Sequence, residues 1–220
     1  VVFCAQKNAA DALALRHPAV HWLPRGCDPA VHHRQVPEKL YDVAFVGGVA
    51  DPRRAAILDA LRERYPRSFI GRASRNQIGE IYSAARIVVN CAVNNDLNMR
   101  FFEGLCSGAM LMTDVIDNEG FELLLVQASE PVCVIYRDLG SLLQKIDYYL
   151  EHETEREHIA RAGQAFARLQ RYEDRWTTIK EYLDSLQPRT LGLTDFLFCR
   201  VSLLVIGLVK SLEKRFVYGK

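Results

Sequence analysis

RIVVNCAV (Arg86–Val93), NNDLNMRFFEGLCSG (Asn94–Gly108) and AMLMTD (Ala109–Asp114) follow one another without a break, and their reading decides the fold. The outer two are nearly continuous apolar runs rather than alternating ones, as strands covered on both faces are. Between them, Asn98 suits the N-cap of a short helix over 99–107, with Gly108 as its stop. Met99, Phe102 and Cys106 are expected on its inner face. A strand, a short helix and a second strand make a βαβ unit, and therefore a parallel pair. The helix nevertheless begins with amide, basic and acidic groups that packing does not require.

The pattern extends in both directions. DVAFVG (Asp42–Gly47), SFIG (Ser68–Gly71) and VCVIY (Val132–Tyr136) join the two runs above as strands. Amphipathic segments at Arg53–Arg64, Gln77–Ala85 and Leu139–Leu150 alternate with them. This spacing predicts an α/β domain with a doubly wound parallel sheet, followed by C-terminal helices over Glu153–Gln170 and Glu173–Leu186. In such sheets ligands bind beyond the carboxyl ends of the strands.

Residues 1–36 read as a separate piece with a strand at Val1–Cys4 and a helix near Asn8–Arg16, ending in a hinge marked by Pro24 and Pro29. Because the chain opens inside a strand, it reads as the tail of a preceding Rossmann-like domain, joined to a main domain at 37–187. Residues 188–220 form a third segment, apolar and amphipathic. Its apolar stretch around Val201–Val209 is short for a membrane span. Contact of residues 194–216 with a membrane surface, helped by Lys210, Lys214, Arg215 and, just beyond, Lys220, is one reading; packing against another domain or subunit is the other.

With 220 residues, 49% hydrophobic and 25% charged, the composition is that of a globular protein, and the net charge of +1 gives no sign of a nucleic-acid binder. Six cysteines lie scattered, mostly within apolar runs, and read as core residues of a cytoplasmic protein. His32 and His33 are adjacent, lack a third ligand at useful spacing, and read as solvated linker residues. No Walker A, G-x-S-x-G or H-E-x-x-H pattern is present.

The helix start at Asn98 offers free N–H groups and a positive dipole end to an anion. Arg100 adds a fork-shaped cation suited to phosphate oxygens, and Glu103, one turn on, can accept from two neighbouring hydroxyls. The group therefore fits a nucleotide, with phosphates at the helix end and ribose on the carboxylate. An exposed ion pair between Arg100 and Glu103, worth ~0.2–0.5 kcal/mol, fits the same spacing.

FEGLCSG followed by an apolar strand resembles the donor-binding segment of group 1, GT-B-type glycosyltransferases. NMRFFEGLCSGAMLMTD is similar to the spore-maturation, CgeB-type branch. VHWLPRGCDPAVHH resembles that family's interdomain stretch, YDVAFVGG its first C-domain strand and glycine loop, and YLEHETEREHIARAGQAF its closing helices. The resemblance covers about residues 1–185. It implies that Glu103 binds the donor ribose and that Arg100 and the Asn98 helix end bind the diphosphate. Gly47 and Gly48 would let backbone approach the donor, Arg53 or Arg54 would add positive charge, and Arg72 is a further candidate. Where the family often carries a second Glu, this chain has Asn95, with Asp96 beside it as a substitute. The implied function is hexosyl transfer from a nucleoside-diphosphate sugar to an acceptor, without a metal or cofactor, and without activity in a piece lacking the acceptor domain. A nucleotide-binding or assembly module that has lost catalysis is the alternative.

Overall fold

The computed structural model describes residues 1–33, 36, 38–49, 51–92, 95–117 and 119–186. The chain divides into two compact units, Val1–Ile179 and Lys180–Lys220. The segment 188–220 lies outside the described residues.

The larger unit is built on five parallel strands: β3 (Tyr41–Val46), β4 (Ser68–Gly71), β5 (Ala85–Asn90), β6 (Met110–Asp114) and β7 (Val134–Tyr136). Their spatial order is β4-β3-β5-β6-β7. The sheet thus grows one way from β3 to β4 and the other way from β3 to β5, which places the switch point, and the expected ligand crevice, between β3 and β5. Register follows the apolar runs, with Val43 opposite Ile87 and Val88 opposite Leu111.

Side chains alternate across the strands and feed two cores. Val43, Phe45, Ile87, Val89 and Met110 pack with Ile57, Leu58 and Leu61 of α3 (Pro52–Arg64) and with Leu142 and Ile146 of α7 (Leu139–Glu151). On the opposite face Ala44, Val88 and Leu111 pack with Tyr82 of α4 (Arg75–Ser83). Phe101, Phe102 and Leu105 of α5 (Met99–Cys106) and Phe166 of α8 (Glu153–Ala167) complete that core. Each fully buried Leu, Ile or Phe contributes about 1.5–3 kcal/mol. Helix α8 passes so close that a Cβ on Gly163 would lie 2.6 Å from the Val132 carbonyl and 2.8 Å from Leu105 Cδ2.

The first residues form β1 (Val2–Cys4), α1 (Lys7–Ala14) and β2 (Val20–Trp22), with β1 and β2 parallel. The chain then runs through Pro24–Cys27 to a four-residue helix, α2 (Pro29–His32), capped by Asp28. This passage is held by the start of α9 (Tyr172–Ser185). Cys27 N–H donates to Gln170 O at 2.9 Å, Tyr172 N–H to Cys27 O at 3.0 Å, and Arg175 Nε to Pro24 O at 3.0 Å. One further helix, α6 (Glu119–Leu125), follows β6 and was not expected from sequence.

All five described cysteines are free thiols; Cys91 and Cys106 are buried, as the apolar runs predict, and Cys27, outside such a run, is buried as well. No described helix is long and apolar enough to cross a membrane. Among the described residues, no three His, Cys, Asp or Glu side chains gather as metal ligands would.

Candidate functional site

A cavity of about 600 Å³ opens at the carboxyl ends of β3, β4 and β5, at the switch point. Its floor and one wall come from Val46, Gly47 and the α5 start at Asn98, Met99, Arg100 and Glu103. Ala73 and Ile78, from the β4–α4 turn and α4, give an apolar side; Arg25, Arg54 and Asp96 complete the rim.

The α5 terminus is built from polar residues on two elements. Asn98 Oδ1 accepts from the Phe101 N–H at 3.3 Å, leaving the N–H groups of Met99 and Arg100 without an intrahelical partner. Beneath it, Asn90 ends β5 and is wholly buried. Its Oδ1 accepts from Asn98 Nδ2 at 3.0 Å and from Arg100 Nη1 at 3.1 Å, while its Nδ2 donates to Thr113 Oγ1 at 3.0 Å. Arg100 also donates from Nε to Val46 O at 3.0 Å and stacks on the Phe45 ring, 4.2 Å from its centroid. The guanidinium is fixed in place before any ligand arrives. Gly47 leaves room for this seat: a Cβ there would displace Arg100 Nη2.

Tyr82 steadies the same strand end. Its hydroxyl accepts from Val46 N–H at 3.3 Å, and burial raises its pKa to about 12.

Glu103 is 6% exposed, so it is not half of an exposed ion pair. Burial raises its pKa above the usual carboxylate range, against the pull of Arg100 and Arg75. Its carboxylate accepts no hydrogen bond from the described side chains. It lines the cavity with acceptor capacity unused.

Of the residues expected from sequence, Glu103, Arg100, Asn98, Asp96 and Gly47 meet at this cavity. Gly48 lies beside it, close to the exposed Arg72 guanidinium. Two expectations change. The Arg53 guanidinium turns to Asp114 Oδ2 at 3.0 Å, and the rim position falls to Arg54, which donates to the carbonyls of Gly48 and Cys91. Asn95, at φ 52°, uses its amide to clasp the Asp117 backbone in both directions at 2.6 Å and does not line the cavity.

Two further readings are corrected. Met99 is 43% exposed at the cavity mouth rather than on the inner face of α5, because N1 of this helix projects beyond the sheet. His32 is not a solvated linker residue: it is 1% exposed, because α2 presses it against α4 and α5. His33 is exposed, as expected. His32, Met99, Arg75 and Tyr172 enclose a second recess of about 310 Å³. Sequence reasoning passed over Asn90, Arg25 and Phe45. Asn90 had a signal, as the one amide inside an otherwise apolar strand.

An α/β domain with this strand order and a polar cavity at its switch point is of the Rossmann-like kind found in GT-B glycosyltransferases. The chain belongs to the glycosyl transferase-like family, whose sequence profile matches residues 32–181. No curated protein matches it in sequence. Among solved structures it is similar to HepE from Anabaena in complex with UDP and glucose, at TM-score 0.67 and 14% identity, over 84% of this chain and 63% of that one. HepE in complex with UDP-glucose gives 0.66 and 14%, over 84% and 64%. Sucrose-phosphate synthase from Thermosynechococcus elongatus gives 0.61 and 14%, over 83% and 57%. At this identity the likeness is one of fold. The chain spans about 57–64% of the length of these proteins.

Proposed function

We propose that this chain is the donor-binding half of a GT-B glycosyltransferase that transfers a hexosyl group from a nucleoside-diphosphate sugar to an acceptor, of the CgeB-like branch. The observation that carries the proposal is the buried Glu103 carboxylate, without a hydrogen-bond partner among the described residues, on the wall of a cavity that also holds the α5 N-terminus and a fixed Arg100. The diphosphate would lie against the N–H groups of Met99 and Arg100 and the guanidinium of Arg100, with Arg54 and Arg25 at the rim. The ribose diol would donate to Glu103, and the base would occupy the apolar side at Ala73 and Ile78.

Chemically, the departing diphosphate gains negative charge as the glycosidic bond breaks. Donors and cations already held in place stabilise that charge without reorganising. Arg100 is such a cation, so no metal is required in this scheme. The neighbours HepE, in complex with UDP and with UDP-glucose, are consistent with such a donor.

A second reading, a nucleotide-binding module without transfer, draws on Asn95. The resemblance puts a Glu there, and this chain has an amide already engaged by Asp117. Asp96, on the cavity rim, is the residue left to meet the transferred sugar. We place the protein in the cytoplasm, on the free thiols of its five described cysteines, and assign residues 194–216, outside the described residues, to a membrane-surface or subunit contact.

Calorimetric titration with UDP, GDP, ADP and dTDP tests the reading. Binding of one of these, lost in both Glu103→Ala and Arg100→Ala variants that remain folded, is the expected result. Binding that survives both substitutions would reject the site.

A further inference from the structure

His32 is fixed by one hydrogen bond and left open at its other nitrogen. Asp28 N–H donates to His32 Nδ1 at 3.2 Å, which assigns the proton of the neutral ring to Nε2. That Nε2–H is buried and has no hydrogen-bond partner among the described residues. It faces Glu103 Oε1 at 3.7 Å, about 0.7 Å beyond hydrogen-bond length. A buried donor without a partner thus faces a carboxylate that lines the cavity and accepts no hydrogen bond from the described side chains. The buried imidazole N–H is costly in that state, and a small closure would satisfy it.

We propose that His32 is a positioning residue for Glu103: its Nε2–H closes on one carboxylate oxygen and turns the other toward the ligand's ribose hydroxyls. This inference rests on the donor reading above. It adds that ribose selectivity is set partly from the hinge segment, by a residue that itself touches no ligand. The arrangement resembles a metal-free version of a common device, in which a second group orients the residue that meets the ligand.

The charged and titratable groups around the pair are few. Arg100 on α5, Arg75 and Tyr82 on α4, and Tyr172 on α9 face Glu103. Asp28 and Arg75 face His32. Burial lowers the His32 pKa and raises that of Glu103, so each is held toward its neutral form. A hydrogen bond from a neutral imidazole favours the charged carboxylate. Its removal should therefore move Glu103 protonation to higher pH.

The test is titration of the whole chain with UDP, GDP and ADP, each beside its 2′-deoxy counterpart, in the wild type, His32→Phe and His32→Gln. Phe keeps the shape without the donor; the Gln amide nitrogen can reach the place of Nε2. The wild type is expected to prefer one ribonucleotide over its deoxy form by about tenfold, the worth of a charge-assisted hydrogen bond. His32→Phe should bring that ratio close to one, lower affinity for the deoxy form much less than for the ribonucleotide, and shift the acid-side loss of ribonucleotide affinity upward in pH. His32→Gln should restore most of the ratio. An undiminished ratio in His32→Phe overturns the role of His32 and leaves the donor site standing. An equal fall for both forms in Phe and Gln variants overturns it too, in favour of packing. Failure of the wild type to bind any of the three overturns the donor reading and this inference with it.

Discussion

Helices α3 and α5 both start at the carboxyl edge of the sheet, after the neighbouring strands β3 and β5, yet their first turns are finished differently. The α3 cap is a carboxylate: Asp51 Oδ1 accepts from the Arg54 N–H at 2.9 Å, with Pro52 behind it. Arg53, next in the chain, is paired with Asp114. The α5 cap is the neutral amide of Asn98, and its arginine is tied to a carbonyl, an amide oxygen and a ring face. A helix end answered by its own aspartate has little left for an outside anion. The α5 end keeps both its dipole and its cation. The lesson is that the cap residue, more than the helix start itself, separates a structural terminus from one that can bind.

The strongest way to break this contrast is Arg100→Ala. Loss of a fixed, charge-assisted donor pair should lower nucleoside-diphosphate affinity by about 100-fold, read by calorimetry. Next comes Gly163→Ala, which asks whether the site depends on how the last turn of α5 is packed from behind. Crowding against the Val132 carbonyl and Leu105 should cost about 1–3 kcal/mol in denaturant unfolding. The caps themselves can then be exchanged. Asn98→Asp keeps the Oδ1 cap but adds a negative charge beside the anion site and removes the Nδ2 donor to Asn90 Oδ1, so affinity should fall about tenfold, with a loss of about 1 kcal/mol in thermal stability. Asp51→Asn on α3 should leave affinity unaltered. If both substitutions behave alike, the contrast fails.

The smallest effect concerns the buried carboxylate. Because the folded state raises the Glu103 pKa, the native protein binds more protons than the unfolded chain between the ordinary carboxylate range and that raised value. Its stability contribution therefore worsens as pH rises through that window. Glu103→Gln should be more stable than the wild type at neutral pH, by about 1 kcal/mol, while binding nucleotide poorly. The gap should narrow as pH falls, as measured by thermal unfolding across pH.

The sheet was legible because its strands are covered on both faces: RIVVN and AMLMT contain no alternation to confuse with a surface strand. Helix α5 was legible from Asn98 and Gly108, which mark its limits chemically. Helix α6 was not, because FELLLV reads equally as a strand over so short a run, although Asn118 precedes it in the sequence as a cap-type residue. The site was half readable. Glu103 and Arg100 declare themselves by type and spacing. His32 does not, since its burial comes from α4 and α5, more than 40 residues further along the chain. Arg53 and Arg54 show the same limit: local sequence cannot say which of two adjacent arginines meets Asp114 and which turns to the cavity rim.

The clasp between Cys27 and the start of α9 has a consequence in time rather than in space. Arg25 and His32 lie early in the chain, but their segment is secured by Gln170, Tyr172 and Arg175, about 140 residues later. During synthesis at ~5–20 residues per second, the five-stranded sheet can be complete for seconds before that closure is possible. Pairings of such long separation are also the slow ones in refolding. The sheet edge that carries the cavity should therefore form early as an open cleft and gain the wall from residues 24–32 last, and affinity for a ligand of that cavity would serve as a clock for that final step.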